Sequence, residues 1–182
     1  MAVGEVWRMA TVNAALVPLE EYLETVYRPD RDWIRGELRE RNVGEKPHAR
    51  IQRYLCFVFQ SNQDAWRVEA FPEQKVQTSA EHYRIADVCV TVLDESDDVI
   101  VRTPPVLCVE ILWRDDRMTD MQERVDDYFA MGMGTVWLID PRRRKAFNAD
   151  ARGTTRLVSD VLEVPGTAIR VSVEAMFGAL GS

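Results

Sequence analysis

Three short apolar runs constrain this chain more than any other feature: "RIADVCVTVL" (84–93), "PVLCVEIL" (105–112) and "TVWLIDP" (135–141). Each is short, rich in β-branched residues and bounded by charged or turn residues, which predicts a buried strand. Between the second and third lies "TDMQERVDDYFAMG" (119–132), where Met121, Val125, Tyr128 and Phe129 recur on one helical face. Thr119 is the expected N-cap, with Gln122 as its capping-box partner, and Gly132 suits the helix end. Strand, helix, strand, with more strands on both flanks, predicts an α/β (α+β) chain built on a mixed sheet packed by helices.

The flanks read as follows. "VPLEEYLETVY" predicts a short helix, with Pro18 in its first turn and Leu19, Tyr22, Leu23 and Val26 on one face. "DWIRGELRER" predicts an extended segment or hairpin. Pro47 opens a second helix whose buried stripe is Ile51, Leu55, Val58 and Phe59. Residues 66–77 predict a strand or pair broken near Pro72, and "VIVRTPP" a further extended piece. "RRRKAFNAD" and "TRLVSDVLEV" predict a closing antiparallel pair, and Ser172 caps a short last helix through Leu180. With 182 residues and no internal repeat, the expectation is one domain over 1–182.

Composition narrows the function classes. No apolar run is long enough to span a membrane, and the N-terminus lacks the pattern of a secretory signal. Three widely spaced cysteines, Cys56, Cys89 and Cys108, suit neither a disulfide framework nor a zinc site. The expectation is a cytoplasmic protein whose cysteines are core residues. Two histidines, His48 and His82, exclude a histidine-rich metal centre. A net charge of −7 opposes broad nonspecific binding to nucleic acid but leaves room for a local basic groove. Lysine occurs only at positions 46, 75 and 145; the other basic residues are arginine.

The chemistry lies in two acids. Asp87 interrupts the first apolar run and Glu110 the second. Acids are rarely buried without a partner. Sequential strands are usually neighbours, so the two carboxylates are candidates for one site. Close carboxylates need a proton, a base or a cation, and Mg²⁺ with oxygen ligands is a natural match. The plainer alternatives are that Asp87 caps a loop and that Glu110 pairs with an arginine such as Arg84. Arg124 flanks the packed face of the 119–132 helix. It either reaches that acidic site or lies along the core edge with its charge in solvent.

The ordered pieces "VPLEEYL", "DWIRGELRE", "PHARIQRYL", "YRIADVCVTV", "PPVLCVEIL" and "RMTDMQERVDDYFAMGMGTVWLIDP" resemble the Uma family of putative restriction endonucleases. That family lies within the PD-(D/E)XK nuclease superfamily. The resemblance implies a restriction-endonuclease-like core with an extra N-terminal helix and added C-terminal strands. It implies Asp87 and Glu110 as ligands of Mg²⁺ or Mn²⁺, with the backbone carbonyl of Ile111, in an enzyme that hydrolyses DNA. Leu112 stands where the superfamily pattern has lysine. The lysine that this branch carries on the next helix is here Arg124, four residues before Tyr128. Arginine keeps the charge but does not deprotonate. His48 stands where the family often has a helix-opening histidine, and the plainer reading is a helix-start residue bonding nearby backbone. Lys75 is a distant substitute for the lysine. Arg142–Lys145 suggests a phosphate contact or a solvated turn, and Trp113 a base stack or simple packing. A homodimer suits two cuts on a duplex. The alternative function is a catalytically inactive nuclease fold serving as a nucleic-acid- or protein-binding module.

Overall fold

The computed structural model describes residues 16–41, 45–94, 98–114, 116 and 118–181. An eight-stranded, mostly antiparallel sheet is flanked by helices on both faces. Helix α1 (Leu19–Glu24) leads into the strands β1 (Arg31–Ile34) and β2 (Glu37–Glu40). Helices α2 (Lys46–Ser61) and α3 (Gln63–Trp66) follow, then the long strands β3 (Val68–Ser79) and β4 (His82–Val92). Strand β5 (Leu107–Ile111), helix α4 (Met118–Met131) and strand β6 (Thr135–Asp140) form the predicted strand–helix–strand unit. Strands β7 (Lys145–Asp150), β8 (Thr155–Val158), β9 (Val161–Glu163) and β10 (Arg170–Ser172) and helix α5 (Val173–Gly178) close the chain.

The strand order is β2-β1-β4-β5-β6-β7-β8, with β3 on the other edge of β4. Among the described strands of this sheet β5 and β6 alone run parallel, as strands joined by a helical crossover can. Strand β5 alternates as its pattern demands. Leu107, Val109 and Ile111 enter the core under α2 and α5, with Ile51, Leu55, Phe59 and Trp137. On the opposite face Cys108 joins Met121, Val125 and Tyr128 of α4. Glu110 shares that face, where Arg124 and Tyr128 of α4 meet its carboxylate.

One topological feature creates the site. Strands β1 and β5 both pair with the same edge of β4, at different levels. Trp33 and Ile34 oppose Tyr83 and His82, while Leu107–Val109 oppose Val90–Val88. Between those levels, Arg84 to Asp87 have no strand on that edge. Buried backbone groups must be paired, and side chains fill the gap. Asp32 Oδ1 accepts the Ile85 N–H at 3.0 Å. Asp87 Oδ2 accepts the Ile111 N–H across the gap at 2.6 Å.

Local rules were overridden at several points. Helix α1 stops at Glu24, so Val26 lies beyond it and, like Leu23, is exposed; Tyr22 alone in α1 is buried, against Trp33 and Tyr83. Pro72 does not interrupt β3, which is paired with β4 on one edge and needs no N–H on the other. "VIVRTPP" yields a single bridge, Val76 to Val101. Helix α4 starts at Met118, which puts Thr119 inside the first turn and not at the cap. Gly132, with φ of +107°, ends that helix as expected. Ser172 caps α5 by accepting the Ala175 N–H at 3.2 Å. No helix among the described residues is long and apolar enough to cross a membrane.

Candidate functional site

Asp87 and Glu110 come together at the gap. The register that sets Val88 opposite Val109 brings these acids next along the same antiparallel pair. Both are almost fully buried, at 1% and 2% exposure. With Arg41, Ile111, Trp113 and Arg124 they line a cavity of about 50 Å³. That is room for one or two water-sized groups, since a water occupies about 30 Å³ in the liquid.

The side chains around the acids come from three elements. Arg41, just after β2, donates to Asp87 Oδ1 and lies 4.0 Å from Glu73 Oε2. His48, in the first turn of α2, holds Nε2 3.3 Å from Asp87 Oδ2 and stacks on Trp113 with ring centroids 4.3 Å apart. Arg124 reaches in from α4, 3.4 Å from Glu110 Oε2 and 2.9 Å from Asp32 Oδ2. Tyr128, one helical turn on, donates to Glu110 Oε1 at 2.6 Å. Arg124 therefore points into the acidic cluster.

The two acids live in different fields. Burial pushes Asp87 upward, but Arg41, His48 and the Ile111 N–H outweigh it and hold its carboxyl below the usual range. Burial also raises Glu110. Its cations lie farther off, Asp87 adds repulsion, and the carboxyl is pushed up to about 7.

A third buried acid of the cluster, Asp32, was not singled out in the sequence. It is fully buried and grips the Ile85 N–H, Arg84 at 3.1 Å and Arg124. Arg84 continues to Asp127 at 2.6 Å, and Asp127 to His82 at 2.8 Å. Arg84 thus pairs with Asp32 and Asp127, and Glu110 takes Arg124 and Tyr128 instead. Arg41 was missed as well. Asp32 stands between Arg31 and the short apolar pair Trp33–Ile34, a weaker signal than that of Glu110, which lies inside an apolar run. Arg41 carried none beyond the general need of buried acids for a cation.

The remaining sequence candidates fall outside the cluster. Lys75 lies over the Tyr22 ring, 4.2 Å from its centroid. Arg142 to Arg144 lie in the exposed turn between β6 and β7 and Lys145 opens β7, while Asp140 Oδ1 accepts the N–H groups of Arg142 and Arg143.

The donor chemistry fits a hard divalent cation. Two carboxylates and a backbone segment around one small cavity suit an ion that keeps several of its waters. Among the described residues no three His, Cys, Asp or Glu side chains converge on such an ion, so water would complete the shell. Arg41 stands on Asp87 in the same cavity.

A search of curated proteins gave no match. Among solved structures, the chain is similar to the "Crystal structure of a putative nuclease belonging to DUF820 from Anabaena variabilis ATCC 29413". The TM-score is 0.79 at 22% identity, covering 90% of this chain and 99% of the other. That likeness shows the fold. The family profile Uma2, "Putative restriction endonuclease", matches residues 19–158, which contain every residue of the acidic cluster. The chain belongs to the Uma2 family of putative restriction endonucleases.

Proposed function

We propose that this chain is a divalent-metal-dependent nuclease that hydrolyses phosphodiester bonds in DNA. The observation that carries this reading is the pairing of Asp87 and Glu110 on adjacent strands, both buried and both lining one small cavity. Asp87, Glu110 and the carbonyl of Ile111 would hold Mg²⁺ or Mn²⁺. When bound, such an ion supplies Lewis acidity at the phosphoryl group and a more acidic water.

The chain's own residues do the rest. Asp87, kept ionised, supplies negative charge for the ion. Glu110, near neutrality in its proton affinity, can hold or release a proton at Oε2. Arg124 orients Glu110 and adds positive charge beside the cavity, which favours the charge that builds on a phosphoryl group in the transition state. It cannot serve as a base. Trp113, held flat on His48, forms part of the cavity wall.

The test is plasmid cleavage with Mg²⁺ or Mn²⁺, alongside calorimetric titration of Mn²⁺. Wild type should bind and cut, and Asp87→Ala and Glu110→Ala should each lose cleavage by a factor of at least about 100. A wild-type protein that neither binds Mn²⁺ nor cuts DNA with either ion would refute the proposal. The inactive-module reading draws on the arginines that stand where a lysine or a metal is expected. It predicts unchanged cellular function in Asp87→Ala.

A further inference from the structure

Arg41 does not behave like an ordinary structural arginine. Its side chain is 6% exposed, and its guanidinium sits on Asp87 within the electrostatic reach of Glu110, Asp32 and Glu73. It lines the same cavity as the two acids. Yet the guanidinium is only half used. Nη2 faces Asp87 and Glu73, while Nη1 is buried with no hydrogen-bond partner among the described residues. A buried charged donor without a partner costs free energy.

The acids show the complementary pattern. Two buried carboxylates on paired strands are stabilised by a proton or by positive charge between them. Arg124 is already shared between Glu110 and Asp32. That leaves Arg41 as the permanent positive charge on Asp87, with the His48 ring 3.3 Å from its other oxygen.

We propose that Arg41 is a built-in counter-cation that competes with a divalent metal ion for Asp87. This rests on the metal-dependent reading above. The guanidinium and the ion need the same carboxylate oxygen and repel each other, so metal entry requires Arg41 to leave Asp87. Glu73 and Glu40, which flank the cavity, offer the displaced charge other acids to meet. The site then has two states: a closed one held by Arg41 and an open one loaded with metal.

The experiment is calorimetric titration of MnCl₂ into wild type, Arg41→Gln and Arg41→Lys, each checked for folding by circular dichroism. Removing the competing charge should tighten Mn²⁺ binding in Arg41→Gln on the order of tenfold or more. Arg41→Lys, whose ammonium is better hydrated and lacks the fork, should fall between the two. Asp87→Asn should abolish binding in the wild-type and Arg41→Gln backgrounds alike. If Arg41→Gln does not fold, Arg41→Lys decides, with tighter binding than wild type expected. Equal or weaker Mn²⁺ binding in the folded variants overturns the proposal and leaves the metal-dependent reading standing. Absence of Mn²⁺ binding in wild type and variants overturns both.

Discussion

Single residues at this site answer to charge before shape. Arg124 joins two buried acids from different strands, Glu110 and Asp32. Arg124→Met keeps much of the stem's packing but leaves both carboxylates with less compensation. Breaking a buried pair in this way costs about 3–5 kcal/mol. Urea denaturation of Arg124→Met should show that loss, whereas Arg124→Lys should recover part of it. An Arg124→Met protein as stable as wild type would show that the charge is dispensable. Asp87 and Glu110 were legible in the sequence because an acid inside an apolar strand violates burial preference. Arg124 was legible as a direction, from its angular place on the helix. Arg41 was not, because nothing local distinguishes it from Arg39 two residues earlier; its partner lies 46 positions away.

At the scale of elements, the short β1–β2 hairpin delivers both Asp32 and Arg41 to the gap. Its two-residue turn, Arg35 and Gly36, has φ values of +50° and +89°, the backbone signs of a type I′ turn that match strand twist. A Cβ on Gly36 would also meet Leu16 at 3.1 Å. Gly36→Ala should therefore destabilise the protein by about 1 kcal/mol or more, readable as a lower melting temperature. An unchanged value would show that the turn relaxes freely. Periodicity predicted α2, α4 and β4 to β6 well because each contains several alternations or turns. Four-residue strands such as β1 and β2 offer too few, and the sequence left an extended segment and a hairpin equally open. The apparent break at Pro72 was misleading for a different reason. Edge position is a tertiary fact, and it decides whether a missing N–H is felt.

Across the whole molecule, the ion network ties β1, β4, β5 and α4 into one electrostatic unit around Asp32. Burial raises Asp32, but Arg124, Arg41, Arg84 and the Ile85 N–H outweigh it, so its folded pKa lies below the unfolded value of 3.8. A depressed carboxyl pKa contributes stability above the unfolded value, and that contribution disappears as pH falls through the folded one. Melting temperatures should accordingly fall on acidification below about pH 4. Asp32→Asn should start from a lower plateau and show a shallower acid limb. Parallel limbs for the two proteins would assign acid sensitivity to other carboxylates. The general plan, a mixed sheet packed by helices, was readable from the strand–helix–strand pattern. The gap on β4 was not, since it depends on two strands that lie far apart in sequence sharing one edge.

That shared edge also separates the site's floor from its mouth. The acids are fixed by ladder register, deep between strands that cannot slip by one residue without turning their side chains over. Trp113 and Asp116 line the cavity from beyond the end of β5 and are not held by that register. Side chains at those two positions can therefore change, and reshape the mouth of the cavity, while Asp87 and Glu110 keep their places.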